Sequence, residues 1–313
     1  MESENLIEAR HLSRRYGPAV AVGGLDLTLK RGEILGLLGP NGAGKTTTMK
    51  MLAGVLAPSS GDVKINGIDL AAAPAEAKRH LGYLPEAPPV YPELTVDEYL
   101  GFCADLHGIA RRDRATAVTS AKKDCGLAEV AGRLIGNLSK GYQQRVGLAQ
   151  AIIHRPPVVI LDEPTVGLDP IQIREIRALI TQLGQVHSVI LSSHILPEIQ
   201  AVCGRVMIIH RGRAVYNEPV AQAASAGAVI VQLHRAPALT ELEKFPGVKA
   251  VLDLGEGRFR LQCAPSADPR EALVERAVKH NWGLVEVRAE HKTLEDIFVE
   301  LTAGDELAQE KAA

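Results

Sequence analysis

The sequence predicts an α/β fold followed by a small α+β unit, and three observations carry that prediction. Over about the first 220 residues, short apolar runs alternate with helical patterns, the arrangement of a parallel sheet flanked by helices. Ile34–Leu38 and Val158–Leu161 are nearly continuous apolar runs, and 189–191 and 206–209 repeat the pattern, as expected of strands covered on both faces. After residue 227 the order becomes strand, helix, strand, strand, helix, strand, with one more helix at the end.

Taken in order, segments 6–11, 25–29 and 63–65 are short and alternating, which suits a small antiparallel sheet. Residues 45–56 carry helical spacing and good helix formers. From 92 to about 140 the buried-strand signal disappears, and the polar, charged, helical pattern reads as an inserted helical subdomain. Residues 170–185 form an amphipathic helix with Ile173, Ile176, Leu179, Ile180 and Leu183 on one stripe. A boundary falls within 219–227, where Ala, Ser, Gly and Gln dominate, so the first domain is assigned to 1–222. The second, 228–303, has strands at 229–233, 248–254, 258–262 and 284–288 and helices at 239–245, 269–280 and 294–301. That order fits a ferredoxin-like unit. Residues 304–313 are expected to be a flexible tail.

The 313 residues are 46% apolar, enough for a sizeable core, and the net charge of −2 argues against a general nucleic-acid binder. Cys103, Cys125, Cys203 and Cys263 lie far apart with no Cys-x-x-Cys pair, and read as thiols in a reducing cytosol. The polar start is no secretory signal, and no apolar run approaches the roughly 18 residues needed to span a bilayer. The expectation is a soluble chain whose membrane role would need a partner. His280, Trp282 and His291 fit no metal-site spacing and read as structural.

Gly39-Pro40-Asn41-Gly42-Ala43-Gly44-Lys45-Thr46-Thr47 meets the pattern G-x-x-x-x-G-K-[ST] between a strand and a helix. Its glycines let successive backbone N–H groups curl around phosphate oxygens, and the helix N-terminus adds partial positive charge. Lys45 can reach the β- and γ-phosphates of ATP, the Thr46 hydroxyl can bind Mg²⁺, and Thr47 sits near the α- and β-phosphates. The strand at 158–161 ends in Asp162 and Glu163. Asp162 suits a Mg²⁺ site and Glu163 can polarise the attacking water.

These motifs, with Asn137-Leu138-Ser139-Lys140-Gly141-Tyr142-Gln143-Gln144-Arg145, resemble the ATP-binding cassette (ABC) ATPases over about the first 220 residues. The resemblance implies a P-loop ATPase domain with an antiparallel subdomain and a helical subdomain. It implies that Ser139 and Gly141 contact the γ-phosphate held by an opposite subunit, and that Gly167-Leu168-Asp169 links the two active sites. His194 matches the family's switch histidine, and Tyr16 the ring that stacks on adenine. Glu86 stands where the family has a glutamine that meets Mg²⁺ and water; Lys140 replaces a glycine and Tyr142 a glutamine. The run from Glu86 to Val96, these signature variations, Ser192 to Glu198 and the ending 293–302 resemble bacterial exporter-type subunits, including the gliding-motility-associated ATPase subunit.

What this implies is a cytoplasmic ATPase, peripheral on the inner face of the cell membrane. It would dimerise head to tail with a second copy or a paralogous subunit. It would drive a membrane permease supplied by another chain, received on residues 86–100, for export. The alternative is a soluble ATPase acting on ribosomes or DNA without a permease. That reading would call for two cassettes, a coiled-coil insertion or basic extensions, and this sequence has one cassette and neither addition.

Overall fold

The computed structural model describes residues 5–221, 226–264, 267–291 and 293–302. The expected tail 304–313 and residues 222–225 of the expected boundary lie outside them. The chain divides between Glu218 and Pro219 into two compact units.

The first unit opens with β1 (Asn5–Tyr16) and β2 (Ala19–Lys30), an antiparallel pair. β3 (Ile34–Leu38) follows, with Leu35, Leu37 and Leu38 fully buried, and leads through the glycine-rich loop into α1 (Lys45–Leu52). This helix stops short of the expected residue 56, because Gly54 turns the chain with φ +65°. Next come β4 (Ser60–Ile65), β5 (Ile68–Asp69), α2 (Pro74–Lys78) and β6 (Leu81–Leu84). The helical subdomain holds α3 (Val96–Leu106) and α4 (Arg111–Asp124). α3 starts in a capping box in which Thr95 and Glu98 satisfy each other's backbone N–H. α5 (Lys140–Ile152), capped by Ser139, returns the chain to β7 (Val158–Leu161). α6 (Pro170–Leu183), β8 (Ser188–Ser193), α7 (Leu196–Val202), β9 (Arg205–His210) and β10 (Arg213–Pro219) complete the unit.

The strands form two sheets, β2-β1-β4-β5, antiparallel throughout, and β10-β9-β3-β8-β7-β6. From β9 to β6 the larger sheet is parallel. One core of Leu6, Leu12, Leu27, Leu35, Leu37, Met49, Leu52, Ile160, Ile190 and Met207 joins both sheets to α1. The parallel register sets Leu38 beside Ser193, Leu161 beside Leu191 and Leu84 beside Leu161. The C-terminal ends of β3, β6, β7 and β8 therefore open on one edge, where ligands bind in such sheets.

The second unit runs β11 (Ala226–Leu233), α8 (Leu239–Glu243), β12 (Val248–Asp253), β13 (Arg258–Cys263), α9 (Arg270–Lys279), β14 (Leu284–His291) and α10 (Leu294–Thr302). Its sheet order is β12-β13-β11-β14, each neighbouring pair antiparallel. This is a split βαββαβ arrangement. Val229, Val231, Phe259 and Leu261 alternate inward to meet Leu242, Phe245, Leu273 and Trp282 in a separate core.

Candidate functional site

The glycine-rich loop is shaped by what its glycines must avoid. Gly44 has φ +106°, and a β-carbon there would stand 2.5 Å from the Ala21 carbonyl oxygen. At Gly39 a β-carbon would meet the Ile209 carbonyl oxygen at 2.3 Å. Only glycine fits either place. The first N–H groups of α1 have no intrahelical acceptor, so the loop presents donors to an anion. Lys45 is buried at the loop's centre. Its Nζ donates to the carbonyl oxygens of Gly39 (2.8 Å) and Pro40 (3.2 Å) and lies 3.3 Å from Glu163 Oε1.

The strand ends bring the acidic groups to the same place. Thr46 Oγ1 donates to Asp162 Oδ1 at 3.3 Å, and Ser192 Oγ donates to the same oxygen at 2.7 Å. Ser192 Oγ also accepts the Glu163 N–H at 2.9 Å, which holds Glu163 in a left-handed conformation (φ +49°) that a side-chain-bearing residue rarely adopts. His194 Nδ1 lies 2.8 Å from Glu163 Oε2, so the carboxylate fixes a proton on Nδ1. Asn41, Gly42, Gly44, Lys45, Thr46, Thr47, Glu86, Glu163 and His194 line one pocket of about 250 Å³. Pro40 and Ala43 shape its loop: the Ala43 N–H donates to the Pro40 carbonyl at 3.2 Å, and Ala43 is buried.

Asp162 is fully buried, and burial raises its pKa above the ordinary carboxylate value. Hydrogen bonds from Ser192 and Thr46 oppose that rise, and the charges of Glu163 and Glu86 add to it. Asp162 Oδ2 is buried with no hydrogen-bond partner. A buried, unpartnered carboxylate oxygen beside a threonine hydroxyl suits a hard divalent cation such as Mg²⁺. Among the described residues, no three His, Cys, Asp or Glu side chains are grouped to hold a metal by themselves. The remaining ligands would have to be phosphate oxygens and water.

Ser139, Gly141 and Asp169 are not in this pocket. They line a second one, of about 580 Å³, with Tyr142, Arg145, Gln172 and Glu175. Ser139 caps α5, accepting the Tyr142 N–H at 3.4 Å. Asp169 caps α6, its Oδ1 accepting the N–H groups of Ile171 and Gln172, both at 2.9 Å. The Lys140 ammonium lies against Gly167 of its own chain, 2.1 Å from where a β-carbon would stand. Lys140 also lines a pocket with Thr46, Glu86 and Asp162. The Arg145 guanidinium stacks over the Tyr142 ring at 5.9 Å. Tyr16 ends β1 half exposed, with the Arg14 guanidinium 4.9 Å from its ring centroid, and does not line the 250 Å³ pocket. Sequence reasoning gave no role to Ser192, Ser193, Thr165 or Glu198, although all four are buried polar residues at or just beyond strand ends. The signal available was polarity at the end of an otherwise apolar strand.

Residues 22–166 match the family model described as ABC transporter. The linearmycin resistance ATP-binding protein LnrL of Bacillus subtilis (strain 168) is 31% identical over 95% of this chain and 98% of its own length. The probable multidrug ABC transporter ATP-binding protein YbhF of Escherichia coli (strain K12) is 36% identical over 68% of this chain. That match spans 37% of YbhF, so the chain corresponds to little more than a third of that relative. A solved ATP-binding subunit of an ABC transporter superposes with a TM-score of 0.63 at 32% identity, over 70% of this chain and 91% of that one. With this similarity running nearly end to end in LnrL, and with the phosphate loop, Glu163 and His194 gathered in one pocket, the chain belongs to the ATP-binding subunits of ABC transporters.

Proposed function

We propose that the chain is a transport motor that hydrolyses ATP in two sites shared head to tail between two copies, driving a separate membrane permease. The observation that carries this reading is the division of the expected nucleotide contacts. Lys45, Glu163 and His194 line one pocket, with Asp162 bonded to Thr46 of its lining, while Ser139 and Gly141 open on another. Each pocket lacks what the other supplies, and a second copy turned head to tail would complete both.

In this reading the loop from Gly39 to Thr47 cradles the phosphates. Lys45 exchanges its carbonyl partners for β- and γ-phosphate oxygens, and Tyr16 stacks on the adenine. Thr46 and Asp162, with Glu86 across the pocket, would hold Mg²⁺, which neutralises charge on the phosphates when bound. Glu163 accepts the proton of the attacking water, and His194, oriented by the same carboxylate, meets the γ-phosphate. Ser139 and the Gly141 N–H of the other copy close over that phosphate and exclude water, while Asp169 sits at the turn joining the two sites. After hydrolysis the clamp is lost and the dimer opens, which moves the permease.

Among the described residues no helix is long and apolar enough to cross a membrane; in this reading the permease is a separate chain, and the motor docks on it at the inner membrane face. The names of LnrL and YbhF, a resistance protein and a probable multidrug transporter, favour export. Glu163→Gln tests the chemistry. ATP turnover should fall about 100-fold or more with ATP binding retained; unchanged turnover would overturn the assignment. Co-purification from detergent-solubilised membranes should recover a multi-span protein. Recovery with ribosomes alone would overturn the transport reading.

A further inference from the structure

Glu198 is a buried acidic side chain that the mechanism above leaves unused. It sits in the first turn of α7, 3% exposed, four residues after His194. Its Oε2 accepts two hydroxyl hydrogen bonds, from Thr165 Oγ1 at 2.6 Å and Ser193 Oγ at 2.9 Å. Its Oε1 faces the Arg177 guanidinium of α6 at 3.8 Å. Thr165 lies two residues after Glu163, and Ser193 immediately precedes His194. The Ser193 hydroxyl also accepts the Ile195 N–H at 3.0 Å, closing a turn around His194. One carboxylate oxygen therefore ties together the two chain segments that deliver Glu163 and His194 to their 2.8 Å contact. Glu198 is not among the residues lining the nucleotide pocket.

We infer that Glu198 is a positioning residue: it fixes the register between the segments after β7 and β8, so that Glu163 and His194 meet in hydrolytic geometry. The inference rests on the hydrolytic roles proposed for those two residues. Losing the carboxylate leaves two buried hydroxyls without their acceptor and lets the segments drift apart. A drift of an ångström at reacting groups is costly to turnover. Binding is spared, because the phosphate loop takes no part in the network.

The test is steady-state ATPase kinetics on the full chain with Glu198→Ala, Glu198→Gln, Thr165→Val and Ser193→Ala, with Glu163→Gln in the same assay. Glu198→Ala should lower kcat about tenfold or more with KM for ATP within about twofold. Glu198→Gln keeps an oxygen for both hydroxyls and should restore most of kcat. Thr165→Val and Ser193→Ala should each lower kcat, and adding either to Glu198→Ala should cost little more, because the three act through one contact. Should Glu198→Ala fail to fold, the two hydroxyl deletions decide. Unchanged kcat in both, or a fall in kcat no larger than the loss of ATP-binding sites per chain found by nucleotide titration, would overturn the inference. If Glu163→Gln abolishes turnover and the Glu198 series leaves it intact, only the positioning role falls. If Glu163→Gln itself leaves turnover unchanged, the hydrolytic reading falls first.

Discussion

Asp162 carries a charge that folding disfavours. Burial raises its pKa, Glu163 and Glu86 add repulsion, and one of its oxygens has no partner. A carboxyl whose pKa is raised by folding contributes its full stability below its unfolded-state pKa of about 4 and loses it as pH rises through the folded-state value. The nucleotide-free protein therefore bears a penalty that grows as pH rises from the unfolded-state value toward the folded-state one. Asp162→Asn removes the charge and keeps an oxygen for Ser192 and Thr46; a buried amide without a partner costs less than a buried charge. In buffer free of nucleotide and Mg²⁺ at pH 7, this variant should melt about 2–4 °C above the parent, with the difference vanishing below about pH 4. If Asp162 holds Mg²⁺ as proposed, the variant should also gain no thermal stability from Mg²⁺ added to ATP, where the parent should gain it. A melting temperature at or below the parent's would refute the penalty. The sequence made Asp162, Glu163 and Lys45 legible because each belongs to a contiguous motif. Ser192 and Glu198 were not, since Asp162 and Thr165, which they bond, lie about 30 residues away, in segments that only the parallel register of β7 and β8 brings together.

Among the elements, functional side chains cluster where strands stop and helices begin, and each junction has its own local cause. The turn into α1 needs Gly44, whose φ and closeness to Ala21 forbid a β-carbon. Gly44→Ala should destabilise the protein by about 1–3 kcal/mol and abolish ATP binding, read by urea unfolding and nucleotide titration. Native stability with normal binding would show that the loop has room the geometry denies. The start of α6 rests on Asp169, which accepts two backbone N–H groups. Asp169→Ala should cost about 1 kcal/mol, while Asp169→Asn, an equally good cap, should cost almost nothing. A loss of turnover in Asp169→Asn at unchanged stability would then report a role at the nucleotide beyond capping. Helix existence was readable from apolar spacing and capping residues. The early end of α1 was harder to read, because apolar residues continue past the turn made at Gly54, as Val55 and Leu56 show.

At the scale of the molecule, periodicity indicated parallel strands and a later split βαββαβ unit. It could not give the lateral order β10-β9-β3-β8-β7-β6, which depends on where each crossover lands. That order sets the Lys45–Glu163 pocket at the ends of β3, β7 and β8, while the Ser139–Gly141 pocket is built by the starts of α5 and α6. If each ATP is shared between two copies, a defect in Lys45 and a defect in Ser139 should complement when carried by different chains. Lys45→Ala alone and Ser139→Ala alone should each be nearly inactive as homodimers. In a mixed dimer one site inherits both defects and the other inherits neither. Random pairing of equal amounts makes half the dimers mixed, each with one intact site of two, so ATPase activity should return to about a quarter of the parent's. Mixing two preparations of the same variant should restore nothing. If the unlike mixture also stays inactive while dimers demonstrably exchange, the nucleotide is not shared between copies in this way. If Lys45→Ala and Ser139→Ala complement and Lys45→Ala and Glu163→Gln do not, then Glu163 works with Lys45 of its own chain, as their 3.3 Å separation requires.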